Sequence, residues 1–211
     1  VSDPAPSLQT FTLDELAPFT HEGCFSPSSS ADHRLFYVGR DDVHGILDYL
    51  LSRITLSCVG NQFGYDDEAL NAHVMAAAEN PLVTTIVTLD RSQAGGVHEK
   101  TILASDAAAD PVAFNAHFAI LESSTGQISH TKGFVLDGRV GFEGSTNWST
   151  SGEGTFVTGQ VAPGGPGYKA QNNTLMVFTD PDTVARFQAE LIAEHMSGRK
   201  VVSKQPPIAA T

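Results

Sequence analysis

The chain is poor in basic residues, in cysteine and in tryptophan. Its 211 residues include 12 Lys and Arg against 24 Asp and Glu, a formal net charge of −12. That excludes a broad cationic footprint for nucleic acid, although one lysine in a cleft still makes a local positive spot. The two cysteines, Cys24 and Cys58, offer neither a disulfide framework nor a C-x-x-C metal pattern. Cys58 lies in the apolar stretch ITLSCVG, where a buried free thiol is expected. No apolar run approaches the roughly 18 residues of a membrane span, so no stable membrane insertion is expected. The opening VSDPAPS shows no basic region followed by an apolar one, so no signal peptide is read there. A start at Val leaves room for a removed leader or a preceding domain; localisation stays open, with the cytoplasm favoured. There is no tandem repeat.

What is present is ordinary for a globular chain of one domain: 41% hydrophobic and 17% charged residues. Residues 1–34 read as an irregular lead-in, with Thr12 and Glu15 at capping-box spacing and a loop at Ser26-Pro27-Ser28-Ser29-Ser30. His21, Cys24 and His33 match no standard metal spacing and read as a solvated loop. From Leu35 the pattern alternates. A strand at 35–38 precedes a helix capped by Asp41 or Asp42, whose Val43, Ile46, Leu47, Leu50 and Leu51 follow the 3.6-residue period. A strand at 54–63, a helix from Asp66-Asp67-Glu68 to Glu79 and a strand at 82–89 follow. Asp90-Arg91-Ser92-Gln93 is expected as a functional loop at that strand's carboxyl end. This β-α-β-α-β order predicts an α/β fold: a mixed, largely parallel sheet with helices on both faces. Further strands are expected at 117–122 and 172–178, with a turn at 123–126. Residues 151–168, rich in glycine, read as a mobile surface loop. Asp180-Pro181 opens a last helix that Gly198 should end after Ser197. The expected domain is 35–198, with a flexible tail at 199–211.

The stretch that decides function is HTKGFVLDGRVGFEGSTN, residues 130–147. It reads H-x-K-x4-D-x6-G-S-x-N, with His130, Lys132, Asp137, Ser145 and Asn147 at fixed offsets. Phe134, Val135 and Leu136 form an apolar run that ends at Asp137-Gly138, and Val140-Gly141-Phe142 begins the next. Two strands joined by a tight Asp-Gly turn follow from that pattern. Residues two apart on a strand share a face. His130 and Lys132 therefore project together, and Ser145 and Asn147 arrive beside them on the returning strand. An imidazole nucleophile with an ammonium and neutral donors around it suits phosphoryl transfer, which depends on positioning and charge stabilisation. His98-Glu99-Lys100 repeats H-x-K, but Asp106 falls six residues after the lysine, and Ala113-Phe114-Asn115 stands where G-S-x-N would be. That copy reads as the start of a helix.

The 130–147 signature resembles the HKD motif of the phospholipase D superfamily. The likeness extends from about Leu35 to the last helix and is most specific in the hairpin. With one copy, the chain looks like the single-motif bacterial endonuclease branch, in which two chains pair and each supplies a histidine. The resemblance implies a C2 homodimer through the active-site face. His130 would attack phosphorus and form a phosphohistidine, while the His130 of the second copy protonates the leaving oxygen. Lys132, Ser145 and Asn147 would bind the phosphate, and Asp137, at the turn, would act as scaffold. No metal and no cofactor is implied. Single-motif relatives carry a glutamate that orients the histidine. Here the matching stretch is Gln171-Asn172-Asn173-Thr174-Leu175, so Asn173 is the expected orienting group, with Glu122 and Glu143 as alternatives. Nucleic acid is the expected substrate. A phospholipid or small diester is the alternative that the acidic charge suits better, and a non-catalytic binding module is the third reading. His44, His73 and His195 have no partners at ligand spacing and read as packed or solvent-facing. Trp148 reads as core or pocket wall.

Overall fold

Val, Ile and Leu concentrate in the strands because most of those strands are covered on both faces. The computed structural model describes residues 7–94, 97–121, 128–162 and 165–202, with backbone alone at 94, 97–100, 115, 121 and 198–202. In chain order the described strands are β1 (His33–Tyr37), β2 (Ser57–Gln62), β3 (Thr84–Asp90), β4 (Phe118–Leu121), β5 (Lys132–Leu136), β6 (Val140–Gly144) and β7 (Thr174–Phe178). The helices are α1 (Val43–Leu51), α2 (Glu68–Glu79), α3 (Arg91–Ala94), α4 (Val97–Ala109), α5 (Pro111–His117), α6 (Thr150–Glu153) and α7 (Pro181–Val202). The strands form one seven-stranded sheet in the order β1-β7-β6-β5-β2-β3-β4. β2 pairs parallel with β3, and β3 with β4. The other four pairings are antiparallel. The sheet is thus mixed, as expected. Five of its strands run one way, while the motif strand β5 and β7 run against them.

The sheet separates two apolar layers. On one face Cys58, Phe134, Leu136, Phe142 and Val177 pack with the inner sides of α1, α2 and α4. On the other, Val59, Val135 and Phe178 pack against Val184 and Leu191 of α7. Glycine is required at position 60 by close approach, since a Cβ there would stand 2.0 Å from the Phe134 ring. Trp148 is core: it stacks on Phe134 with ring centroids 5.0 Å apart and on Tyr65 at 5.1 Å.

Several expectations need correction. Residues 8–10 and 13–19 form 3₁₀ turns that send Leu8, Leu13 and Leu16 into the core, so this part of the lead-in belongs to the packed body. Arg91–Ala94 is a helical turn rather than a loop. Pro111–His117 is a helix, started by Asp110, whose carboxylate accepts from Val112 N and Ala113 N. The segment expected as a mobile loop begins with the buried turn α6, capped by Ser149. α7 runs through Gly198 to Val202, because one glycine costs a helix only about 1 kcal/mol. His98 and Lys100 lie on the backbone of α4, as a helical reading requires. The expected turn at 123–126 lies outside the described residues.

Candidate active site

The site is organised by the turn at the far end of the motif hairpin. Asp137 (φ 54°) and Gly138 (φ 62°) both have positive φ and are the central residues of a turn closed by Arg139 N donating to Leu136 O at 3.0 Å, within the three-residue connection between Leu136 and Val140. The Asp137 carboxylate turns inward. It accepts from Thr55 Oγ1 at 2.7 Å and from the backbone N–H groups of Thr55, Leu56 and Ser57 at 3.1, 2.7 and 2.9 Å. Those donors lead into β2, so Asp137 fixes the register of β5 on β2, with Lys132 opposite Gln62 and Gly133 opposite Asn61. It lies at the opposite end of β5 from His130 and acts as scaffold there.

At the other end, Ser129 anchors the chain before His130. Its N–H donates to Asp90 Oδ2 (2.8 Å), and its hydroxyl donates to Glu194 Oε1 (2.6 Å) while accepting from Asn61 Nδ2 (2.7 Å). Three elements thereby hold the residue before His130. His130 itself is exposed, and Lys132 is only 4% exposed. Lys132 Nζ lies 3.2 Å from His130 Nδ1 and 2.8 Å from His130 O. Burial pushes the Lys132 ammonium below the ordinary lysine range. An ammonium carries donors only, so where it bonds to Nδ1 the neutral ring keeps its proton on Nε2.

Phe63, just past β2, joins these groups to the second half of the motif. Its ring centroid is 4.3 Å from that of His130, and Lys132 Nζ stands 4.8 Å from it. The next residue, Gly64, donates its N–H to Asn147 Oδ1 at 3.2 Å. This bond uses the amide oxygen and leaves the Asn147 N–H groups as donors. A Cβ at Gly64 would come within 2.9 Å of the Asn147 side chain. Gln62 Nε2 holds the arrangement from below, donating to Gly64 O (3.0 Å) and Thr146 O (3.1 Å). Lys132, His130, Phe63, Gly64 and Asn147 therefore form one continuous row.

No protein-family model matches the chain, and no curated protein sequence matches it. Solved structures do. A phospholipase D family member, Nuc from Salmonella typhimurium, aligns at TM-score 0.57 and 14% identity over 79% of this chain and 95% of that one. NucT from Helicobacter pylori aligns at 0.55 and 15% identity, covering 78% and 96%. The phosphatidylserine synthase of Haemophilus influenzae aligns at 0.53 and 11% identity, with 81% of this chain on 44% of that one. The chain has the phospholipase D-like fold.

Within this phospholipase D-like frame, the remaining expected site residues fall in a separate group. Ser145 Oγ donates to Asn173 Oδ1 (3.1 Å) and accepts from Thr174 N (3.0 Å). The Asn173 amide nitrogen donates to Gly152 O and Gln171 Oε1 at 3.0 and 3.1 Å. Both ends of the Asn173 amide are thus engaged away from His130, and the described partner of His130 Nδ1 is Lys132 Nζ. The expectation that Asn173 orients His130 has no bond behind it among the described residues. Glu143 is exposed, and Glu122 lies outside the described residues. Phe63, Gln62 and Ser129 were not singled out from sequence. The available signal was their position at strand ends beside the motif, which many neutral residues share.

The three helical histidines, expected to be packed or solvent-facing, each have a polar partner. His73 Nε2 lies 2.8 Å from Asp48 Oδ1, His195 Nδ1 lies 3.2 Å from Thr88 Oγ1, and His44 sits with Glu153 and Asp67. Only the last trio could hold a metal among the described residues; His21, Cys24 and His33 form no such group.

Proposed function

We propose that the chain is a phosphodiesterase that cleaves nucleic-acid phosphodiester bonds through a phosphohistidine on His130, in a site shared by two copies. The observation that carries this reading is an exposed imidazole with a buried lysine on its Nδ1 side, at the open end of a phospholipase D-like sheet. Lys132 neutralises the non-bridging oxygens of the substrate, and Asn147, held through its oxygen, donates to them. Phosphate oxygens compete for Lys132 Nζ and draw it from Nδ1. That removes the bias toward an Nε2 proton and lets Nε2 attack phosphorus. The second copy's His130 protonates the leaving oxygen and then activates water to release the product. Neither step is assigned a metal ion. Ile128, 54% exposed and two residues before His130, supports pairing through this face.

Phospholipid or another small diester is the second reading, favoured by the formal charge of −12. Nicking of supercoiled plasmid at low salt in excess chelator, compared with His130→Ala, tests the first. Cleavage by the wild type alone supports a nuclease. Equal cleavage by His130→Ala overturns the mechanism, and a lack of cleavage by either moves the assignment to small diesters.

A further inference from the structure

Behind Asn147 lies a second cluster that the phosphodiester chemistry does not use. His44 sits in the first turn of α1, Asp67 is the N-cap of α2, and Glu153 is the last residue of α6. His44 Nδ1 is 2.5 Å from Glu153 Oε2 and 3.4 Å from Asp67 Oδ2, and one ligand atom from each residue lies within 4.8 Å of the others. The Glu153 side chain is 0% exposed, and its Oε1 has no hydrogen-bond partner. A fully buried carboxylate oxygen without a donor is expensive and calls for a partner. Burial, together with the charge of Asp67, pushes the Glu153 carboxyl up to about 7. His44 and Asp67 keep 17% and 15% of their side-chain surface, giving an ion access from solvent.

The geometry is half set for an ion. Two ligands on a tetrahedral zinc, each about 2.0–2.1 Å from the metal, stand roughly 3.3 Å apart, and the His44–Asp67 separation of 3.4 Å already matches. The His44–Glu153 contact is a hydrogen bond held through one proton. A cation would displace that proton, open the pair and satisfy Glu153 Oε1 by bidentate binding. Asp67 is divided suitably, since its Oδ1 caps Leu70 N at 2.8 Å while Oδ2 faces His44. Two carboxylates and a neutral imidazole balance a 2+ charge, and a mixed nitrogen–oxygen set favours zinc over magnesium or calcium.

We propose that His44, Asp67 and Glu153 bind one Zn²⁺ ion that ties α1, α2 and α6 together behind Asn147. The cluster is mechanically joined to that residue. α6 packs so closely that a Cβ at Gly152 would stand 2.3 Å from Asn147 O. On the other side, Asp66 N, next to Asp67, donates to Trp148 O at 2.7 Å. The ion is structural and no step at His130 passes through it.

The test is calorimetric titration of the chelator-treated, full-length chain with Zn²⁺, with thermal melting measured alongside. Asp67→Asn is the decisive variant, because asparagine caps a helix as well as aspartate does and removes only the charge; His44→Gln is the second. The wild type should bind one more zinc per chain than either variant, or bind it at least about tenfold more tightly. Zinc should raise its melting temperature by more than it raises that of Asp67→Asn. Equal stoichiometry and affinity in wild type and Asp67→Asn, or no zinc bound by the wild type, overturns the site. The readout is binding, so its outcome is independent of the proposed phosphodiesterase activity.

Discussion

Lys132 has almost no surface in water, and this governs the pH range in which it can work. Burial disfavours its charged form, so its pKa lies below that of a free lysine. The ammonium is lost as pH rises through that lowered value. Activity that needs the cation should therefore fall on the alkaline side before the ordinary lysine range is reached. A kcat/KM profile for a chromogenic diester checks this, and a rate flat through pH 10 would sink it. Lys132→Met should lower kcat by about 10²–10³, the range for a preorganised charge-stabilising donor. Phe63 acts one step back, through its ring on His130. An aromatic contact of about 0.5–1.5 kcal/mol implies that Phe63→Ala slows kcat about threefold to tenfold. KM should move less, and an unchanged kcat would remove Phe63 from the site.

At the scale of elements, the motif hairpin is fixed by Asp137. Its carboxylate gathers four donors from the chain entering β2, and hydrogen bonds to a charged group contribute about 1.5–3 kcal/mol each in isolation, with less than additive totals. Asp137→Ala should lower unfolding stability by about 3 kcal/mol in denaturant titration; an unchanged midpoint would contradict the scaffold role. Cys58, near the start of β2, has its thiol pushed up to about 12 by burial, while Cys24 is exposed. A thiol reagent at pH 8 should find one fast group in the native chain and two after denaturation. The strands and the helices α1, α2 and α7 were legible because their apolar periods are long and their caps conventional. α6 was not, since four residues rich in Ser, Thr and Gly carry no period and only tertiary packing makes them helical. Gly198 misled because packing and length outweigh one weak residue. His44 looked unpartnered because its carboxylates come from segments remote in sequence, and spacing cannot register them. The hairpin positions of Lys132 and Asp137 were legible because local strand geometry sets them, whereas His130 precedes β5, outside any strand, and is placed by the bonds of Ser129. The link through Phe63 and Gly64 depends on a neighbouring strand.

For the whole molecule, an acidic chain places a buried lysine beside an exposed histidine, and the proposed remedy for a half-site is a second copy. Sedimentation should give twice the chain mass, and Ile128→Glu should shift it toward the monomer and lower the rate in parallel. A wild-type monomer with full activity would remove the shared site. The claim on which the rest depends is that His130 forms the covalent intermediate. The most direct measurement is rapid mixing with a chromogenic aryl phosphodiester in excess chelator, with intact-protein mass read at the end of the burst. The account predicts a burst and a phosphoryl adduct on His130 in the wild type, and neither in His130→Ala. A burst of equal size from His130→Ala, or an adduct on another residue, would contradict it.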